Sequence, residues 1–455
     1  MVFDENPYDS FGRAEEIARY AHELYEDGKV AMALIQLQEA LEISPANSSL
    51  HFNKALALDS ISSFEEAIKE YKAALELTGD DLETLNSLAI DYTRIGLYDL
   101  AIETFEKIES IDRDFEPSYC NRIIAYTEMN KHSKAEEMFY LAQQIKPDCA
   151  LCFYNIGNSL FIRGEYKKAI SCWIKTSKLE PDHPQINFRI AQAYWFDGDH
   201  QTSREYFLTE LRGNPGDTDV IVDFGLFLLQ LGDIESAKEK FNRVLEFTPD
   251  HAQAMFCLGE IAFNKGNFCD AEQLFHRAIS NDSTLVGPNY RLAQYALKKG
   301  QINQAREFLF EELKLDPEDS EALISMGSMF LQSADYDYAT HCLLRAVDSD
   351  SDNPEPYYYL GLVSAIRGLL EEADEFFGQA LDLDPHHIFT LKDSAILCLA
   401  TGKFDLAAKR VEKAAQLIGS DSEIKSLRRK IKFARLAGKA EDVIFNSFPR
   451  KNKGK

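Results

Sequence analysis

Residues 150–183 read ALCFYNIGNSLFIRGEYKKAISCWIKTSKLEPDH, and their spacing decides the fold. Phe153, Ile156, Gly157 and Leu160 recur every three or four residues, the period of an amphipathic helix rather than of a strand. Gly164 then ends that helix, because glycine enters the left-handed region without the penalty a Cβ imposes. A second helix follows, in which small Ala169 lies one turn before bulky Trp173 on the same face. Pro181 closes the segment, since a helix-interior proline removes a hydrogen bond at a cost of about 3 kcal/mol. The reading is helix, tight turn, helix.

The same spacing repeats with a period of 34, without insertion or deletion, from Ala14 to Asp421, which makes twelve repeats. Repeat position 20 is alanine in eleven of them and Ser203 in the other. Position 24, one turn later, is always large and apolar, as in Leu37, Tyr71, Phe105, Phe241 and Phe377. Position 8 is small except at Ile123, which lets a neighbouring helix approach closely, and position 15 is glycine in nine repeats. The 14 prolines are an independent check: seven sit at position 32 between repeats, five at positions 1 to 3 where a helix starts, and Pro7 and Pro449 outside the array.

These columns resemble the tetratricopeptide repeat family, with its W-x2-L-G-x2-Y, A-x3-F-x2-A and P pattern. Phe153, Ile156, Gly157, Leu160, Gly164, Tyr166, Ala169, Trp173 and Pro181 show it almost complete, and the likeness runs through most of the chain. It implies an all-α fold, a right-handed α-solenoid of twelve helix-turn-helix repeats whose first helices line a concave groove. The expected segments are 1–13, poorly ordered; 14–421, the repeats; 422–438, a basic capping helix carrying Ile424, Leu427, Ile431, Ala434 and Ala437; and 439–455, a flexible basic tail. Glu210 and Glu312 depart from the pattern at normally small position 27, and Arg122 and Asn289 at core-facing positions; the charges are expected to snorkel to the rim.

Of 455 residues, 45% are hydrophobic, which excludes disorder of the whole chain. A formal charge of −26 repels phosphate backbones, so nucleic acid is excluded as a partner, and protein or peptide ligands of neutral or basic character are expected. No apolar run reaches the roughly 18 residues that cross a membrane, and Met1 to Phe11 lacks a targeting pattern, so a cytoplasmic protein is expected. The 8 cysteines, spread over a long chain, are expected to be reduced.

Repeat position 5 carries Tyr154, Phe188, Phe256, Tyr290 and Tyr358, and position 12 carries Phe161 and Trp195, an apolar track on the first helices. It serves either partner contacts or packing between neighbouring helices. Position 6 adds Asn53, Asn121 and Asn155 with Arg189 and Arg291. An amide both donates to and accepts from a peptide backbone, so such a column can hold an extended segment. The column resembles the asparagine ladder of O-linked N-acetylglucosamine transferase arms, broken here by Ser87, Asp223, Cys257 and Tyr359. The carboxylate clamp of chaperone-tail binders lacks both lysines, replaced by Cys120 and Gln185. These twelve residues, Asn53, Asn121, Tyr154, Asn155, Phe161, Phe188, Arg189, Trp195, Phe256, Tyr290, Arg291 and Tyr358, form the expected partner-binding groove.

Cys149 and Cys152 share a Cys-x2-Cys spacing at a helix start, with Cys120, Cys172 and His183 as candidate neighbours. No second such pair follows, and cysteine at a packing position usually acts as a small apolar residue. Asp348, Asp350 and Asp352 imitate a calcium loop but lack its glycine and closing glutamate. With no phosphate loop, zinc-protease helix or serine elbow, and no segment left over for a catalytic domain, the chain is expected to be a non-catalytic scaffold without cofactor or metal. Two alternatives stand beside it: an accessory arm presenting substrates to a separate enzyme such as a glycosyltransferase, and a thiol or metal site at Cys149 and Cys152. Leu24, Leu34 and Leu37 in the first repeat leave homo-oligomerisation open.

Overall fold

The computed structural model describes residues 7–419 and 422–437. Helices joined by short turns make up the described residues, with no strand among them. The helices pair at the period of the sequence, Ala150–Ile162 with Tyr166–Leu179 in repeat five and Ala252–Asn264 with Phe268–Asn281 in repeat eight. They form two compact parts, Met1–Val220 and Ile221–Lys455, the division falling inside the first helix of repeat seven, Thr218–Gln230.

Local chemistry sets both ends of each helix. Asn47, Asp81 and Asp319, each just before a first helix, accept hydrogen bonds from the backbone N–H groups of Leu50, Thr84 and Ala322. These satisfy donors that have no partner within the helix. At the other end, the Gly164 N–H donates to the Phe161 carbonyl at 2.9 Å and the Glu165 N–H to the Leu160 carbonyl at 2.9 Å, a left-handed C-terminal cap. Position 15 is left-handed in every repeat, including the three without glycine, Ser62, Asn130 and Ala334, at φ 61°, 55° and 62°.

That conformation strains an alanine by about 1 kcal/mol or more, so Ala334→Gly is expected to stabilise the second part by roughly 0.5–1 kcal/mol, part of the relief being offset by the freer unfolded chain. Urea denaturation of Ala334→Gly beside Gly300→Ala checks this, the second change moving the midpoint in the opposite direction.

Packing follows the small and large columns. A Cβ added to Gly157 would stand 2.4 Å from the Trp173 indole nitrogen, and one on Gly259 would stand 2.5 Å from the Phe275 ring. The absent methyl at position 8 is therefore the space that the large side chain of position 24 fills, and Trp173, Phe241, Phe275 and Phe377 are fully buried there. Repeat four inverts the arrangement. Ile123 is fully buried at position 8, and Phe139 at position 24 is left half-buried.

Glu312 corrects an expectation. It does not snorkel to the rim but is completely buried, as is nearly all of Glu210. Pro288 delays the start of the first helix of repeat nine, Pro288–Lys298, and leaves N–H groups facing inward. The Glu312 carboxylate accepts from the Gly287 N–H at 2.5 Å and from the Tyr290 N–H at 3.1 Å, a cap supplied by the opposite helix. Burial outweighs these bonds and pushes the Glu312 carboxyl above its ordinary range. Glu210 accepts from the Asn214 side-chain amide at 3.0 Å. Arg122, also buried, reaches Glu109 at 2.6 Å.

At the amino terminus the first helix spans Pro7–Glu26 and thus begins inside the segment expected to be poorly ordered, proline being well suited to a first helical turn. At the other end Ser422–Ala437 is a helix that buries Ile424, Leu427, Ile431 and Ala434 against Leu391, Ala395 and Val411 of the last repeat. The tail expected at 439–455 lies outside the described residues. No helix among the described residues is long and apolar enough to cross a membrane.

Candidate functional site

First helices of successive repeats touch one another directly, Leu82–Arg94 with Glu116–Glu128, and Glu116–Glu128 with Ala150–Ile162; in the second part Ser320–Gln332, Pro354–Arg367 and Ile388–Ala400 do the same. Over these repeats each part has a wall of first helices; of the twelve residues expected in the groove, Asn121, Tyr154, Asn155, Phe161 and Tyr358 lie on these helices and the other seven on first helices of other repeats.

Much of the polar column is spent on holding the wall together. Position 6 of one repeat reaches position 5 of the repeat before it: Asn121 Nδ2 donates to Asn86 Oδ1 at 3.1 Å, and buried Asn155 Nδ2 donates to the Cys120 carbonyl at 2.9 Å. In the second part the Tyr358 hydroxyl donates to Asp393 Oδ2 at 2.9 Å, the same pair of positions with the donor reversed. Arg291 grips Glu260 with two bonds of 2.7 Å and also donates to Gln294 at 3.0 Å. Arg189 donates to Gln192 at 3.4 Å. Asn53 is exposed and borders a cavity of about 270 Å³ with Ala18, His22, Tyr25 and Leu56.

The aromatic track divides in a similar way. Phe188 and Tyr358 are buried, Phe188 against Phe207 with ring centres 6.1 Å apart. Phe256 is half-buried against Phe275. Tyr290 is half-buried and accepts from Gln294 at 2.8 Å; burial and neighbouring Glu321 push its hydroxyl pKa up to about 12, so it stays a neutral hydrogen-bonding group. Tyr154 is half-buried, its ring 4.5 Å from the His183 ring.

Phe161 and Trp195 belong to a more open cluster. Phe161 packs edge-on to Tyr166 at 5.4 Å and to Phe196 at 5.5 Å, and Trp195 stacks on Phe196 at 5.2 Å. Phe196 also stacks on Tyr166, yet remains 53% exposed. Tyr166, a pattern residue of repeat five, and Phe196 are not among the twelve expected groove residues; the sequence signal for Phe196 is the run Tyr194, Trp195 and Phe196, more aromatic surface than a repeat core needs. Aromatic side chains that are held by neighbours yet half open offer large contact area at small entropic cost.

Cysteines form the other assembly on this wall. Cys120 and Cys152 are joined as a disulfide, which corrects the expectation that all eight are reduced. Cys149 caps the helix Ala150–Ile162, accepting from the Cys152 N–H, and its sulfur lies 3.5 Å from that of Cys120. Burial and Glu116 push the Cys149 thiol up to about 11, so it is protonated and a poor nucleophile near neutral pH. Cys172 and His183 lie apart, Cys172 bordering a second cavity with Phe139 and Leu160, and His183 against Tyr154.

Stacked helix hairpins with a shared wall define a class of repeat protein whose hairpins each rely on their neighbours for burial. The profile of the family described as tetratricopeptide repeat matches residues 20–81, 124–218, 222–285 and 324–388, more than half of the chain. The chain belongs to the tetratricopeptide repeat family. Among solved structures it is similar to a chain of the APC/C hetero-tetramer Cut9-Hcn1, at 13% identity and a TM-score of 0.47, covering 92% of this chain and 96% of that one. It is also similar to yeast Tom70, at 16% identity and a TM-score of 0.39, covering 94% and 96%. A third is PilF of Pseudomonas aeruginosa, at 18% identity and a TM-score of 0.44, covering 48% of this chain and 99% of that one. Among curated proteins none matches.

Proposed function

We propose that the protein is a non-catalytic scaffold that captures a protein partner, as an extended peptide or a helix, on its wall of first helices. The observation that carries the reading is the aromatic cluster of Phe161, Tyr166, Trp195 and Phe196, ordered by mutual stacking and partly open to solvent. Tyr154 and Arg189 lie on first helices of the same two repeats and extend it with a polar handle. A formal charge of −26 favours a neutral or basic partner. Among the twelve expected residues, Asn155, Phe188 and Tyr358 support the wall from within, and the half-buried ones supply its contact surface. No observation favours an accessory arm for a separate enzyme.

The test is affinity capture followed by mass spectrometry with the full chain and a Tyr154→Ala, Trp195→Ala, Phe196→Ala variant. The variant is expected to keep its helical circular dichroism and to lose at least about tenfold of the partner signal, since a few aromatic anchors carry most interface energy. Undiminished capture by a folded variant contradicts the reading.

A further inference from the structure

Glu116 opens the helix Glu116–Glu128, and Cys120 lies one turn further along the same face. Cys149 and Cys152 stand at the start of the helix Ala150–Ile162, packed alongside. One ligand atom from each of the four converges, all within 4.8 Å of one another. Glu116 Oε1 is 2.8 Å from Cys120 Sγ and 3.3 Å from Cys152 Sγ, and Cys120 Sγ is 3.5 Å from Cys149 Sγ. The three sulfurs are buried and the carboxylate is half-buried.

A disulfide between Cys120 and Cys152 accounts for two of these groups and leaves a third thiol and a carboxylate crowded against it. A tetrahedral cation accounts for all four. Zinc–sulfur bonds of about 2.3 Å and zinc–oxygen bonds of about 2.0–2.2 Å place tetrahedral ligand atoms roughly 3.5–3.8 Å apart. Cys120 and Cys149 stand 3.5 Å apart and Glu116 and Cys152 3.3 Å apart, while Glu116 and Cys120, at 2.8 Å, and the bonded Cys120 and Cys152 move apart once the disulfide is opened. Two helix N-termini face the cluster and favour the negative charge of a site with three thiolates and a carboxylate.

We propose that, once the Cys120–Cys152 bond is reduced, Glu116, Cys120, Cys149 and Cys152 bind one zinc ion. The disulfide takes up two electrons and two protons from a thiol or phosphine reductant, which is itself oxidised. Zinc then displaces one proton from each of the three thiols, and the carboxylate completes the four ligands. The role is structural. Repeat four departs from the small-and-large arrangement, with Ile123 in the small position and Phe139 half-buried, and the ion ties its first helix to that of repeat five, where Asn155 already holds the Cys120 carbonyl.

The full chain, reduced with a phosphine, loaded with zinc and freed of excess by gel filtration, is expected to hold about one zinc per chain, with the thermal midpoint raised. Cobalt in place of zinc is expected to give the sulfur-to-metal charge-transfer and visible bands of a tetrahedral thiolate site. Cys149→Ser is expected to fall below about one tenth of a zinc per chain, and Glu116→Gln, which keeps all three thiols and tests the site without disturbing the core, to bind at least about tenfold more weakly. Cys269→Ser, at an exposed cysteine elsewhere, is expected to keep the ion. A reduced, folded chain that holds no zinc, or a Cys149→Ser chain that holds as much as the parent, overturns the proposal.

Discussion

Trp173→Ala is expected to destabilise the protein by about 3–5 kcal/mol, whereas Phe139→Ala, at the same repeat position one repeat earlier, is expected to cost only about 1–2 kcal/mol. Trp173 is completely buried, its indole nitrogen donates to the Tyr154 carbonyl at 3.2 Å, and its ring fills the space that Gly157 leaves open. Truncation removes the buried ring and the second hydrogen bond to the Tyr154 carbonyl, and opens a cavity that a glycine cannot close. Phe139 is half-buried because Ile123 occupies the corresponding space, so its loss exposes little. Because each hairpin is stabilised by its neighbours, the Trp173→Ala lesion is expected to be local, with faster amide exchange in Ala150–Ile162 and Tyr166–Leu179 before global unfolding. Urea denaturation gives the magnitudes and hydrogen exchange the location. Equal costs at the two positions would refute the small-and-large account of the packing.

Glu312→Ala is expected to cost about 2–4 kcal/mol, because it leaves the Gly287 and Tyr290 N–H groups buried without an acceptor and adds a cavity. The pH dependence has a definite sign. Burial raises the folded-state pKa of Glu312 above its unfolded value, so the folded chain binds the extra proton between the two. The contribution of this group to stability is therefore greatest below the ordinary carboxylate range and is lost as pH rises through the raised value. Glu312→Gln keeps one acceptor and does not titrate. Its stability is expected to change less with pH than that of the parent over that window, with the parent gaining on it as the pH falls. A parent that instead loses stability relative to Glu312→Gln on acidification contradicts the assignment.

The fold was legible because each repeat solves the same packing problem with the same two side chains. Small position 8 against bulky position 24 is a local match that recurs along the array, and a left-handed turn at position 15 needs glycine or tolerates strain, as at Ala334. What escaped the sequence depends on neighbours far along the chain or on backbone set by one residue. Glu312 reads as a surface charge until Pro288 shortens the facing helix and exposes N–H groups for it to cap. Glu116 and Cys120 join Cys149 and Cys152 only because first helices of successive repeats lie side by side, although a whole repeat separates them in sequence. The groove residues divide for the same reason. Phe188 and Tyr358 are covered by helices that the column pattern alone does not locate, whereas Trp195 and Phe161 stay partly open beside Phe196.

Hydrogen–deuterium exchange on the chain with and without its captured partner tests the interaction surface most directly. Protection is expected in the first helices Ala150–Ile162 and Ile186–Asp197, around Phe161, Trp195 and Phe196, with the second helices Tyr166–Leu179 and His200–Gly213 changed little beyond the Tyr166 turn. Protection confined to the second helices, with the first-helix wall unchanged, would contradict it.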